Sequence, residues 1–477
     1  MREPKPAFAP WGKKISDLPY LNDVHSQLNR TLPDAYRRVR GEGEIRQAVA
    51  EARQLGLPTA VCAGRHAMGG QQFIAGGMQI DMDGMRRVLD FDAQRGLITA
   101  EAGIQWPELM RHLDESESNH SSNWGIRQKQ TGADRFSLGG SLAANIHGRG
   151  LRMKPFIDDI EAFNLIGADG TLRRCDRRSN HELFSLAIGG YGLFGVVVAI
   201  TLRLVAWCRV RREVELIAID AVLDRFEERA DAGCLFGDFQ FAIDPASADF
   251  LRRGVLSCYR QVADDTPLTT DPIHLERADW NRLLHLAHVD KTRAFEEFGA
   301  FYQRSNGQVY RSDQHQAGYY LDGYHGELDE RLEHQGSEVI SELYVPRSAL
   351  IAFMAAVAER LRDLHADVIY GTVRLVERDD ESFLRWAREN WACVIFNLHT
   401  AHDAAALAHT ATCKRALVDL AIEFGGSYYL TYHRHASRDQ LDRCYPQFTA
   451  FEEAKIRHDP EHRFMNDWYR HYAAGDR

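Results

Sequence analysis

The 477-residue chain has no Cys-x-x-Cys pair, and its eight cysteines are scattered without the spacing of a zinc site. This argues against a disulfide framework, favours reduced thiols in a cytoplasm, and gives no expectation of a metal. No stretch approaches the roughly 20 apolar residues of a membrane span. The opening run Met1-Arg2-Glu3-Pro4-Lys5-Pro6-Ala7 lacks the apolar core of a signal peptide. A soluble, cytoplasmic protein is therefore expected. An excess of positive charge is also lacking: the formal net charge is −10, which argues against a surface that neutralises nucleic-acid phosphates. The short basic clusters Arg173-Arg174 and Arg209-Val210-Arg211-Arg212 lie near acids and read as solvated faces. There is no Gly-x-x-x-x-Gly-Lys-Ser/Thr loop, and no Gly-x-Gly-x-x-Gly opens a helix after the first strand. Nucleoside-triphosphate and Rossmann readings fail on that ground. Internal repeats and low-complexity tracts are absent too.

What is present is glycine in a particular arrangement. Leu138-Gly139-Gly140-Ser141-Leu142-Ala143-Ala144-Asn145-Ile146-His147-Gly148 reads as a turn-and-crossing segment with an imidazole at its end. Without a Cβ, glycine lets backbone amides approach a bulky anionic ligand. Further glycine loops occur at Ala63-Gly64-Arg65-His66-Ala67-Met68-Gly69-Gly70 and at Ile188-Gly189-Gly190-Tyr191-Gly192-Leu193-Phe194-Gly195. Each borders a strand, so their amides are expected to converge on one diphosphate.

Periodicity places the loops in an alternating pattern. Helices are predicted over Glu42–Gln54, Trp106–Leu113 and His181–Leu186. Strands are predicted over Thr59–Cys62, Met78–Met82, Val88–Asp92, Leu97–Glu101, Asp159–Ile166 and Val196–Leu204. The length calls for two domains, and a composition shift at Arg209 marks a boundary. Beyond it, long helices are predicted over Leu216–Ala230, Leu350–Leu364 and Ala404–Phe424, with strand-like runs between. Asn306–His325 reads as a long loop or edge hairpin, and an aromatic strand follows Gly425-Gly426.

With these residues in view, the chain resembles the flavoenzyme family of vanillyl-alcohol oxidase and p-cresol methylhydroxylase. The likeness is closest to its alditol oxidase, aldonolactone oxidase and decaprenylphosphoryl-ribose oxidase branch. The three glycine loops carry it, the third through Leu183-Phe184 and Gly189-Gly190-Tyr191-Gly192-Leu193-Phe194-Gly195-Val196-Val197. The resemblance is strong over Arg37–Leu204, thinner in the middle, and recovers from Gly425 to Asn466. It implies an α+β fold: a two-subdomain FAD-binding domain built from both chain ends (residues 1–208 and 425–477), with an inserted α+β substrate or cap domain (209–424).

The resemblance also implies FAD as the cofactor. Its binding positions here are Gly64, Arg65, His66, Ala67, Met68, Gly69, Gly70, Gly139, Gly140, Ala143, Ala144, Asn145, His147, Gly148, Gly190, Gly192, Gly195, Val197 and Asn466. Many members attach FAD covalently to a histidine in the first loop. Aligned without a gap on Gly-x-Arg-His-Ser-Phe, that position is His66; aligned on the Gly-Arg-Gly-Leu-Ser-Tyr of non-covalent relatives, it is Ala67. Both alignments stay open.

Arg374, on a strand with Thr372 on the same face, matches a basic position beside the flavin. Thr372 stands where the lactone and alditol enzymes carry Glu. Glu342 matches a polar position facing substrate, and Tyr432 falls where several relatives carry a catalytic lysine. His147, Glu342 and Tyr432 compete as the base. Asn397 and His399 alternate on Val394–Thr400 and either face the same cavity or sit on an edge strand. Tyr319-Tyr320-Leu321-Asp322-Gly323-Tyr324-His325 either clamps a sugar or aromatic alcohol or lies on the surface.

The activity implied is oxidation of a C–OH group of a small alcohol, sugar or lactone by hydride transfer to the flavin, with dioxygen or another acceptor restoring it. Ala143 and Ala144 leave room for oxygen. The alternatives are a dehydrogenase or double-bond reductase of the same superfamily, or a flavin-binding protein without turnover.

Overall fold

A computed structural model describes residues 20–473 apart from 121–122, 133 and 319–322. The opening run from Met1 to Ala7 and the tyrosines at 319 and 320 lie outside the described residues.

Four sheets organise the chain. A small parallel sheet takes the order Ala35–Arg38, Met78–Asp81, Thr59–Cys62. The helix Glu42–Gln54 packs on it through Ile45, Ala48, Val49 and Ala52. Those positions repeat at the helical period, and Glu42 and Glu44 complement the positive N-terminal end. An antiparallel five-stranded sheet follows the order Val88–Asp92, Leu97–Glu101, Val196–Arg203, Ile160–Ile166, Leu172–Asp176. Trp124–Gly125 and Val205–Ala206 form a two-stranded ribbon.

The largest sheet has eight antiparallel strands. Its order is Val309–Arg311, Arg209–Ala218, Arg253–Gln261, Cys234–Phe241, Val368–Val376, Trp391–Ala401, Gly336–Pro346, Ser427–Tyr428. Arg209 thus begins a strand of this sheet, while Ser427–Tyr428 adds the last strand from late in the chain. Helices Leu350–Asp363 and Ala404–Glu423 pack together and against its Gly336–Pro346 side.

Several elements differ from the sequence reading. The segment read as a turn contains the helix Leu138–Ala144, capped by Ser137, whose hydroxyl accepts from the Gly140 amide. Buried Leu138 and Leu142 stand one turn apart on it, and Asn145 ends it in the left-handed region at φ 49°. The helix expected from Leu216 starts only at Val222, because Arg209–Ala218 is claimed by nine register pairs with Arg253–Gln261. Here cross-strand pairing outweighs local propensity. Helix Trp106–His120 runs a turn and more beyond Leu113. The expected loop Asn306–His325 holds the short strand Val309–Arg311 and a 3-10 turn, and Tyr324 opens the helix Tyr324–Leu332. The aromatic strand after Gly426 is only Ser427–Tyr428, and helices finish the chain.

The late chain returns to the first sheet. Thr59 pairs with Phe464: its amide donates to Arg463 O at 2.6 Å, and the Met465 amide donates to Thr59 O at 3.0 Å. Asp459 holds this return by accepting from the amides of Arg463 (2.9 Å) and Phe464 (2.8 Å). Its carboxylate pairs with Lys455, and both side chains are almost wholly buried. Asp459→Ala would strand a buried ammonium and two amides, which is expected to cost about 3–5 kcal/mol. Urea unfolding checks this; an unchanged midpoint would refute it.

Candidate active site

A cavity of about 980 Å³ lies where the glycine loops meet the large sheet. Gly64, Arg65, His66, Ala67 and Met68 form one wall, and Gly139, Gly140, Ala143, Ala144 and His147 a second. Gly192, Gly195 and Val197 form a third, and Glu342, Arg374 and Tyr432 close the remaining side.

Gly69, Gly70, Asn145, Gly148, Gly190 and Asn466, all expected at the cofactor, do not line the cavity. They shape it from behind. Asn145 donates to Asp379 and accepts from the Ile157 amide at 2.9 Å; Asn466 donates to Tyr191 O at 2.9 Å. A Cβ on Gly148 would lie 2.6 Å from Lys129 O, so glycine there permits close packing. The expected convergence of loop amides is corrected in part. The Gly139 amide donates to Ala102 O at 2.7 Å, Gly140 to Ser137 Oγ at 3.2 Å and Gly69 to Gln71 Oε1 at 2.9 Å. These amides are committed to the protein, so the glycines serve clearance more than anion binding.

The large sheet supplies the polar side. Its register aligns side chains in rows two residues apart: Tyr344, Cys393 and Arg374; Glu342, Ile395 and Thr372; Ile340, Asn397 and Tyr370. Asn397 lines the cavity, whereas Thr372 is fully buried and does not. Arg374 is 8% exposed, and its Nε has no hydrogen-bond partner among the described residues.

Glu342 is the centre of this arrangement. Its Oε1 accepts from His147 Nε2 at 2.5 Å, from the Tyr344 hydroxyl at 2.5 Å and from Cys393 Sγ at 3.3 Å. Among the described residues, its Oε2 accepts only from the Tyr432 hydroxyl, at 3.2 Å. Burial alone would raise the Glu342 carboxyl. The His147 charge and hydrogen bond, the Tyr344 hydroxyl and Arg374 outweigh that and bring it down to about 2. His147 Nδ1 faces Gly148 O at 2.9 Å, so both ring nitrogens meet oxygen acceptors and both donate. Burial, then the Glu342 charge, push the Tyr432 phenol well above its usual range. Tyr432 therefore stays protonated: it is a donor, which removes it from the competing bases.

His66 stacks on Phe136 at 4.1 Å between ring centroids. Its Nε2 donates to Arg135 O at 2.9 Å, leaving Nδ1, 2.9 Å from His25 Nε2, as the lone-pair nitrogen. Burial, then His25, hold its titration well below the usual range, so the ring is neutral at pH 7.

Residues that the sequence reading passed over also stand here. Arg212, read as part of a solvated face, lines the cavity and donates to the Tyr259 hydroxyl at 2.9 Å. Arg149 lies over the Tyr259 ring, 4.6 Å from its centroid. Tyr429 donates to Ala144 O at 2.7 Å, and Trp386 donates to Asn145 O at 3.0 Å, bracing the second wall. Only the three-dimensional register brings these together.

The cavity fits a flavin dinucleotide. A Cβ on Gly192, which lines it at φ +75°, would project where no protein atom lies within 4 Å. The unpartnered Arg374 Nε supplies a buried cationic donor.

Residues 33–176 match the model of an FAD binding domain. The chain is 30% identical to L-gulonolactone oxidase of Mus musculus over 36% of this chain and 38% of that protein. It is 22% identical to L-gulono-1,4-lactone dehydrogenase of Mycobacterium tuberculosis over 92% of this chain and 95% of that protein. Against L-galactono-1,4-lactone dehydrogenase 2 of Oryza sativa subsp. japonica it is 34% identical over 25% of this chain and 20% of that protein. The alignment thus spans well under half of the mouse relative but nearly all of the mycobacterial one. Among the described residues, no helix is long and apolar enough to cross a membrane. Residues 33–176 are thus similar to an FAD binding domain, the cofactor is FAD, and the relatives matched are lactone oxidases and dehydrogenases.

Proposed function

We propose that this protein is an FAD-dependent oxidoreductase that oxidises a C–OH group of an aldonolactone to a carbonyl. The observation that carries the reading is Glu342: a buried carboxylate at the FAD cavity, with Oε1 held by three donors and Oε2 by one. The FAD unit draws on residues 1–208 and 425–477, and residues 209–424 form the inserted substrate unit. The Thr59 to Phe464 pairing supports that division.

FAD held between the loops around Gly64, Gly139 and Gly192 would supply the acceptor for a hydride from the carbinol carbon. Glu342 Oε2 receives the hydroxyl proton, since a carboxylate oxygen can accept a second hydrogen bond beside Tyr432. Arg374 stabilises the negative charge that develops on the substrate oxygen. Tyr432 orients that oxygen by donation, and His147 fixes the carboxylate through Oε1. The carbonyl oxygens of Asn397 and Gln240, both on cavity-lining residues and without a partner among the described residues, suit further hydroxyls of a sugar-derived ring. Neutral His66 offers Nδ1 for covalent attachment of the cofactor once His25 moves aside.

L-gulono-1,4-lactone or L-galactono-1,4-lactone is expected to bleach the flavin anaerobically. No bleaching by any aldonolactone would sink the reading and favour a flavin binder without turnover. Readmitted air or an added dye then identifies the acceptor. Glu342→Gln is expected to lower kcat roughly 100- to 10,000-fold, and Arg374→Met roughly 100- to 1,000-fold; a change confined to KM in either would remove that residue from the chemistry.

The lowered carboxyl also makes a stability prediction. An ordinary glutamate titrates near 4.5, whereas Glu342 does so at about 2. Its stabilisation is complete above pH 4.5 and is lost as the pH falls towards 2. Glu342→Gln should therefore flatten the stability profile in that window, as read by urea midpoints; an unaltered slope there would contradict it.

After acid precipitation the yellow colour should stay with the protein pellet, and His66→Ala should release it to solution. Colour released from the wild type would exclude the linkage.

A further inference from the structure

Glu338 lies on the same face of strand Gly336–Pro346 as Glu342, four residues away, or about 14 Å at roughly 3.4 Å per residue. It lines the far end of the same cavity. Around its carboxylate stand His288 Nε2 at 3.3 Å and His399 Nδ1 at 3.2 Å, both measured to Oε1. The Tyr324 hydroxyl donates to Oε2 at 2.8 Å. The His288, Glu338 and His399 side chains are only 4%, 5% and 9% exposed.

The outer hydrogen bonds fix which nitrogens carry protons. His288 Nδ1 faces Leu284 O at 2.8 Å and must donate to it, which leaves Nε2 with a lone pair. That Nε2 is buried and has no hydrogen-bond partner among the described residues. His334 Nδ1 donates to Leu332 O at 2.9 Å, so its Nε2 accepts. His399 Nε2 lies 2.8 Å from that acceptor and donates to it, which leaves His399 Nδ1 as a second lone pair. With their protons engaged on the outer side, two imidazole nitrogens and one carboxylate oxygen gather at a single buried point, which is the donor set of a cation site.

Distance decides which cation. Protons would draw each nitrogen to a charge-assisted hydrogen bond of roughly 2.7–2.9 Å. The observed 3.2 and 3.3 Å are longer. These two separations match the edge of a tetrahedron of zinc ligands, about 3.3 Å for bonds of 2.0–2.1 Å, and the two nitrogens lie within 4.8 Å of each other. We propose that His288 Nε2, His399 Nδ1 and Glu338 Oε1 bind one divalent transition-metal ion, zinc foremost, with a fourth position open. His334 and the Tyr324 hydroxyl are the outer partners that orient the His399 ring and the carboxylate. His325 Nδ1 closes the site 3.9 Å from Oε2. The site is separate from the redox chemistry around Glu342, and its test needs no turnover.

The test uses the tag-free, FAD-loaded full chain, stripped with a chelator and titrated with zinc chloride by calorimetry. One zinc per chain at micromolar affinity or tighter is expected. His288→Ala and Glu338→Gln should each abolish that event or weaken it at least roughly tenfold, and His334→Ala should weaken it roughly 10- to 100-fold. His147→Ala should leave it intact, which separates this site from the His147, Glu342 and Cys393 cluster. Flavin absorbance and melting temperature check that each variant is folded; where one is not, His334→Ala decides. Absence of zinc binding in the wild type, or binding that survives these substitutions, would overturn the proposal.

Discussion

The hydrogen bond between His147 Nε2 and Glu342 Oε1 is the contact on which the site depends. It joins the segment that follows helix Leu138–Ala144 to the middle of the large sheet, across 195 positions of sequence. Both side chains are at most 5% exposed, so neither charge is tolerable alone. The contact orients the carboxylate so that Oε1 faces His147, Tyr344 and Cys393, and Oε2 faces Tyr432. It also fixes how far the glycine loops stand from Arg374, and hence the width of the flavin cavity. Neighbouring aromatic rings reinforce it: Trp386 lies 5.1 Å from His147 and 4.8 Å from Tyr344, centroid to centroid.

The large sheet then acts as a ruler. Antiparallel pairing sets side chains in rows, and each two-residue step moves roughly 7 Å along the cavity. Arg374 and Cys393 occupy one row, Glu342 the next, Asn397 and Tyr370 the third, Glu338 and His399 the last. Charge handling is thereby kept at one end and an imidazole cluster at the other. A one-residue slip in Gly336–Pro346 would turn both glutamates to the opposite face.

What was legible in the sequence followed from local physics. Glu42–Gln54 shows a helical period with acids in its first turn, and the structure keeps those bounds. The glycine loops announce close approaches, and Gly139 does stand against Ala102 O. Strand alternation put Arg374 and Thr372 on one face, and the family resemblance put that face beside the flavin; Arg374 lines the cavity. Leu216 was misread because its helical pattern competes with a strand whose partner, Arg253–Gln261, lies further along the chain. Arg212 looked solvated because nothing local indicates that Tyr259, Tyr302 and Tyr310 surround its guanidinium. His288, Glu338 and His399 show no ligand spacing, since a helix and two neighbouring strands each contribute one.

The same residue types behave differently at the two ends of the cavity because of how many donors each carboxylate receives. At Glu342, a nitrogen 2.5 Å away requires a proton on the line between them, and two further donors complete Oε1. A tetrahedral metal would force those atoms about 3.3 Å apart, which the packing of Trp386 and Tyr344 around the pair opposes. At Glu338 the outer hydrogen bonds offer each imidazole proton a partner away from the carboxylate, and the nitrogens stand at 3.2 and 3.3 Å. One glutamate is thereby built to handle a proton and the other to share a cation. The difference lies in the backbone carbonyls of Gly148, Leu284 and Leu332, which set the tautomers.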